Sequence, residues 1–132
     1  MSDYVLMLKR GDQVPHFEAR TPGGDVFTYS SIWQHKNLVL VALPEDASAC
    51  ATGALEQALR TAPFNQDQNA CVVTRDTVPG LPAPAALVAD RWGEIVYLTA
   101  VPTLDALPLP SALFDWLDSV ERRCPECEGE AK

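Results

Sequence analysis

The stretch Asn37-Leu-Val-Leu-Val-Ala-Leu43, Pro44-Glu-Asp-Ala-Ser-Ala-Cys50, Ala51-Thr-Gly-Ala-Leu-Glu-Gln-Ala-Leu-Arg60 decides the fold. Leu38–Leu43 is an unbroken apolar run of strand length, as expected of a strand buried on both faces. A short polar turn comes next. From Thr52 to about Ala62 the spacing predicts a helix, with Leu55 and Leu59 four apart and Ala51, Ala54, Ala58 and Ala62 at the narrower contacts. A buried strand that feeds a helix through a tight turn is the first half of a βαβ unit. The turn carries one cysteine, Cys50, where strand gives way to helix.

Working outward, Pro63 should end that helix. Ala70-Cys-Val-Val-Thr74 reads as a second buried strand, parallel to the first across a helical crossover. Upstream, Phe17–Arg20 and Val26–Tyr29 flank the turn signal Thr21-Pro-Gly-Gly-Asp25 and predict a β-hairpin. Ser30-Ser-Ile-Trp-Gln-His-Lys36 predicts one or two helical turns opened by a serine cap. Downstream, Pro79, Pro82 and Pro84 exclude a helix of any length. Ala85–Ala89 and Glu94–Leu98 form strands joined through Asp90-Arg-Trp-Gly93, and so are antiparallel. Val101–Leu109 is a proline-punctuated loop. Ser111 is expected to cap a last helix with an apolar face of Leu113, Phe114, Leu117 and Val120, flanked by Trp116. Arg122 and Arg123 suit its C-terminal end.

The chain has 132 residues, which bounds it to one domain, placed at 1–123, with an acidic tail at 124–132. Apolar residues make up 47 %, enough for a packed core. The net charge of −8 and the lack of a basic stripe argue against nucleic-acid and anionic-membrane partners. No apolar stretch approaches the roughly 20 residues that span a bilayer. At the N-terminus the basic pair Lys9-Arg10 comes after the apolar residues, the reverse of a secretory signal, so a cytoplasmic protein is expected. In that setting the four cysteines are expected as thiols, redox groups or metal ligands, not structural disulfides.

Three places resemble the thioredoxin superfamily in its peroxiredoxin-like branch, the alkyl hydroperoxide reductases and thiol-specific antioxidants. Gly11-Asp-Gln-Val-Pro-His-Phe-Glu18 is similar to the opening of those proteins. Pro44-Glu-Asp-Ala-Ser-Ala-Cys50 is similar to their active-site loop, one residue shorter. Pro84, the strand after it and Asp90-Arg-Trp-Gly93 resemble the cis-proline, strand and D-x-x-G turn of the superfamily. The resemblance covers roughly residues 10 to 123. It implies an α/β thioredoxin-like three-layer sandwich with a central mixed sheet, an N-terminal hairpin and a third helix that is shortened or absent. It also implies a thiol-dependent oxidoreductase with Cys50 as nucleophile and Pro84 shaping the substrate groove. The dithiol C-x-x-C is missing at the turn, where Ala47 and Ser48 stand. Arg75 is the nearby candidate for the arginine that accompanies the cysteine in peroxiredoxins.

At the first turn of a helix, a thiolate meets unpaired N–H groups and the positive helix end, which lower its pKa. The thiolate is the form that attacks peroxides and disulfides. Glu45 and Asp46 just upstream act the other way. A small cysteine among alanines also packs without reacting. Two readings therefore stand. One is an oxidoreductase acting on a small peroxide or a protein disulfide and recycled by an external thiol. The other is a redox-inactive thioredoxin-like binding or scaffold protein. Cys124-Pro-Glu-Cys127 is a resolving candidate. In this fold it belongs at the end far from Cys50, together with Cys71, so only unwinding or a partner's tail would bring it there. A C-x-x-C also supplies half a zinc site, but no second pair exists, so neither metal nor cofactor is expected. A homodimer remains open. His16 and His35 are isolated and fit surface or capping roles, and Trp33, Trp92 and Trp116 read as core or shoulder residues.

Overall fold

The computed structural model describes residues 8–20, 24, 26–60, 69–76 and 78–121. The short strands β1 (Glu18–Arg20) and β2 (Val26–Thr28) form the expected antiparallel hairpin, with Ala19 opposite Phe27. The main sheet has the order β4-β3-β5-β6, from β3 (Asn37–Ala42), β4 (Asn69–Thr74), β5 (Ala85–Ala89) and β6 (Ile95–Ala100). β3 is parallel to β4 and antiparallel to β5, and β5 is antiparallel to β6, with a bulge at Val88/Ala89. Every residue of β3 is buried, as its unbroken apolar run requires.

Alternation along the strands sends side chains into two cores. Val39 and Val41 face the helices α1 (Ala49–Arg60) and α2 (Pro110–Glu121), where Leu59, Leu113 and Leu117 are buried. Burying each of these leucines contributes roughly 2 kcal/mol. Leu38, Leu40 and Leu87 face the other way, against Phe17, Tyr29, Val78 and Leu81. That outer layer is built from the N-terminal segment, the hairpin, a 3-10 turn at Tyr29–Ser31 and the loop through Leu81. No helix lies among the described residues between β4 and β5, so the third helix is absent there. At the start of the parallel pair, Asn37 Nδ2 donates to Asn69 Oδ1 at 2.9 Å, in the buried interior. This bond pairs two buried side-chain amides at the first register position of the parallel pair.

Several expectations change in detail. The first helix starts at Ala49, not Thr52, and Thr52 is fully buried while Ala51 and Ala54 are exposed. The Thr52 hydroxyl reaches back to Ser48 O at 2.7 Å, so a small polar residue fills the inward position. The serine cap expected at Ser30 is not made: Thr28 holds the N-cap position without a side-chain bond, and Ser31 Oγ donates to Thr28 O. What anchors that turn is the Tyr29 N–H, which donates to Phe17 O at 2.9 Å. Ser111 is not the cap of α2. Pro110 is its first residue, where a missing N–H costs nothing. Trp92 is 52 % exposed, not a core residue, because it sits at the tip of the β5–β6 turn. The expectations at Ala62, Pro63, Arg122, Arg123 and the tail 124–132, and most of the turn at 21–25, lie outside the described residues.

Candidate functional site

In the sheet register, Ala42 at the end of β3 lies beside Thr74 on β4 and Ala85 on β5. The segments that leave β3 and β4 and the one that enters β5 therefore gather at one end of the sheet. The turn from Leu43 to Ser48 leaves β3 there, Arg75 leaves β4, and Pro84 enters β5.

The turn is held by its own backbone and by one cap. Leu43 N–H donates to Thr74 O at 2.8 Å, and Ala47 N–H donates to Pro44 O at 2.9 Å. Ser48 Oγ accepts the Ala51 N–H at 3.0 Å, and Ser48 O accepts the Thr52 N–H at 3.0 Å. Ser48 is thus the N-cap of α1, satisfying donors that a helix start leaves unpaired. Cys50 is the second residue of the helix and is exposed as a free thiol. It therefore stands at the positive end of the helix. Glu45 and Asp46 are exposed as well. Arg75 Nη1 donates to Ala47 O at 3.1 Å, which sets a guanidinium against the carbonyl one residue before the cap.

The Ala83–Pro84 bond is cis and Pro84 is buried. Its carbonyl accepts the Val101 N–H at 3.0 Å and so belongs to the sheet. Pro84 shapes this end of the sheet, and the exposed neighbour beside it is Ala83.

The other described cysteine does not join Cys50. Cys71 lies opposite Val39 in mid-sheet and packs against the helix-side core, partly buried and free. It is three residues short of Thr74, about 10 Å along the strand. Burial pushes its thiol up from 9.0 to about 12, the mark of a packing residue. Cys124 and Cys127 lie outside the described residues. His16 sets its ring against Tyr29 and Trp33, at centroid distances of 5.9 and 5.8 Å, and His35 is exposed. Among the described residues, no three His, Cys, Asp or Glu side chains cluster closely enough to hold a metal ion. No helix among them is long and apolar enough to cross a membrane.

Sequence reasoning missed the Ser48 cap and named Arg75 as a candidate without its partner, the carbonyl of Ala47. The signals were present. Ser48 stands two residues before Cys50, and Arg75 directly succeeds the strand parallel to β3, so both turns leave the sheet side by side.

No protein-family model matches the chain, and no curated protein sequence does. Solved structures do match. The thiol peroxidase from Chromobacterium violaceum superposes with a TM-score of 0.60 at 16 % identity, over 89 % of this chain and 92 % of that one. The peroxiredoxin-like protein from Aquifex aeolicus gives 0.58 at 14 % identity, over 86 % and 88 %. A yeast mitochondrial 1-Cys peroxiredoxin gives 0.60 at 14 % identity, over 87 % and 77 %. At such identities the shared property is the path of the chain. With its mixed sheet, N-terminal hairpin, strand–turn–helix and cis-proline, the chain has a thioredoxin-like fold, the one also built by peroxiredoxin-like structures.

Proposed function

We propose that the protein is a thiol-dependent oxidoreductase with Cys50 as its single nucleophile. The observation that carries this reading is the placement of Cys50. It is an exposed thiol at the second position of a capped helix, and the Arg75 guanidinium is bonded to the carbonyl just upstream. A helix N-terminus is a setting in which cysteines commonly react. Toward a peroxide, the Cys50 thiolate attacks one oxygen and the O–O bond breaks. The departing oxygen takes a proton and leaves as water or an alcohol, and the sulfur becomes a sulfenic acid. An external thiol then displaces hydroxide from that sulfur, giving water and a mixed disulfide, which a second thiol reduces. Toward a disulfide, the thiolate attacks one sulfur and expels the other as a thiolate. Pro84 shapes the approach, with Ala83 exposed beside it. Cys124 and Cys127, from this chain or from a partner in a homodimer, are the internal resolving candidates. The reducing cytoplasm is the setting that supplies the external thiol, and an antioxidant role would come from peroxide turnover.

The test is direct. Cys50 should alkylate faster than the thiol of a free cysteine peptide under the same conditions. It should form a dimedone-trapped sulfenate with peroxide, or a mixed disulfide with a glutathione disulfide probe. Cys50→Ser should abolish both, and Arg75→Gln, which removes the bond to Ala47 O, should slow the alkylation. A Cys50 that alkylates no faster than a free thiol and forms neither adduct would sink the proposal and leave a redox-inactive binding protein.

A further inference from the structure

β6 is an edge strand of the main sheet, and the described residues cover only part of its edge. Near its start, Ile95 exchanges bonds with the N-terminal segment: Gly11 N–H donates to Ile95 O at 2.8 Å, and Ile95 N–H donates to Asp12 O at 3.0 Å. Further along, the ladder fixes which groups face out. Val101 N–H bonds to Pro84 O, so in the β5–β6 register the pairs Ala86–Thr99 and Val88–Tyr97 are the hydrogen-bonded ones. The N–H and C=O of Leu98 and Ala100 then point away from β5, and no described residue bonds to them. The strand Ile95-Val-Tyr-Leu-Thr-Ala100 has neither the proline nor the charge with which natural edges discourage pairing.

Beside this open half-edge runs a groove of about 270 Å³. Its apolar lining includes Leu8, Leu81, Leu98 and Ala100, and Lys9 and Arg10 stand at its rim. Both cations are exposed, and Arg10 also lies over the Trp116 ring at 5.6 Å. The groove is on the side of the sheet where no helix covers the described segment between β4 and β5. Two cations at one apolar groove are notable on a chain of net charge −8.

We infer that the outer half of β6 and this groove form a docking site for an extended acidic segment of a partner protein, added as a strand. Main-chain bonds to Leu98 and Ala100 hold the segment. Alternate apolar side chains enter the groove, and acidic ones meet Lys9 and Arg10. A second copy fits less well, because a two-fold β6–β6 pairing would bring the Lys9–Arg10 pairs of both copies to one seam.

The experiment uses amide NMR and hydrogen exchange on the whole chain, with acetyl-Asp-Val-Glu-Val-Asp-Val-Glu-amide as probe and its all-lysine counterpart as control. Leu98 and Ala100 amides should exchange freely in the isolated protein. The acidic probe should protect them, with shifts confined to Leu8–Arg10, Leu81 and the end of β6. The lysine peptide should bind at least about tenfold more weakly. Lys9→Glu should weaken the acidic probe by about tenfold, and so should Ala100→Pro, which removes an outward N–H without touching the β5 ladder. Three results would overturn the inference. These amides could be protected in the isolated protein at every concentration, which would mean the chain covers its own edge. Protection could rise with protein concentration, which would mean a second copy is the occupant. Or no shift could appear at millimolar acidic probe. None of these readouts depends on Cys50.

Discussion

Burial pushes the Tyr29 hydroxyl and the Cys71 thiol up to about 12 each, from 10.0 and 9.0. For Tyr29 the larger cause is desolvation, and the charge of Asp90 adds to it. The consequence for stability has a definite sign. Below about pH 8, both groups hold their protons folded and unfolded alike. Between the unfolded values and about 12, the unfolded chain releases protons that the native state keeps, so stability is lost as pH rises. Urea unfolding from pH 8 to 11 should show this alkaline decline, and both Cys71→Ala and Tyr29→Phe should flatten it. At pH 7, Tyr29→Phe should change stability by no more than about 1 kcal/mol, because the hydroxyl has no hydrogen-bond partner among the described residues. Two glycines separate backbone strain from crowding. Gly11 has φ +90 and open space at its Cβ position, so Gly11→Ala should cost only the backbone term of about 1–2 kcal/mol. Gly93 has φ +88, and a Cβ there would lie 2.7 Å from Gln13 Oε1 and 3.1 Å from the Tyr29 hydroxyl. Gln13 can swing aside, but Tyr29 is locked in the core, so Gly93→Ala should cost more than Gly11→Ala in the same urea titrations.

The start of α1 depends on one side chain. Ser48→Ala removes the oxygen that accepts the Ala51 N–H and should destabilise the protein by about 1 kcal/mol, while Ser48→Asp should keep most of the cap. Thermal melts of the three proteins at one pH would check this. If Ser48→Ala melted with the wild type, the cap would carry no weight. This element also shows how far sequence reading goes. Strand β3 was legible almost to the residue, because a run of consecutive apolar positions at strand length admits few other readings. The helix start was three residues out. Thr52 looked like an opening residue, yet it lies inside the first turn with its hydroxyl folded back onto Ser48 O. The caps at Ser30 and Ser111 failed for a related reason. A serine near a helix start is a common pattern, and neighbouring groups decide whether its oxygen is used. Ile32 and Trp33, whose N–H groups a Ser30 cap would accept, already donate to Tyr29 O, and Leu113 N–H, which a Ser111 cap would accept, donates to Leu109 O.

At the scale of the whole molecule, two cores share one sheet, and β3 stands between them. Leu40→Ala, at a fully buried position in the middle of that strand, should cost about 2–5 kcal/mol in urea unfolding. Leu109→Ala, at a residue 71 % exposed, should stay within about 0.5 kcal/mol. By itself the sequence determined the strand–turn–helix, the N-terminal hairpin, the β5–β6 hairpin and the missing third helix. Each of these rests on local periodicity or on proline and glycine, which act within a few residues. The sequence also placed Cys50 at the first turn of a helix. Only the tertiary structure decided that Arg75 reaches the carbonyl of Ala47, that Cys71 is a packing thiol, and that Leu98 and Ala100 turn their backbone groups outward. Those facts depend on strand order and register, which join residues far apart in the chain. In the turn around Cys50, the apolar pattern places the thiol, and the neighbouring strand, entering from another part of the chain, brings the guanidinium to the turn's backbone.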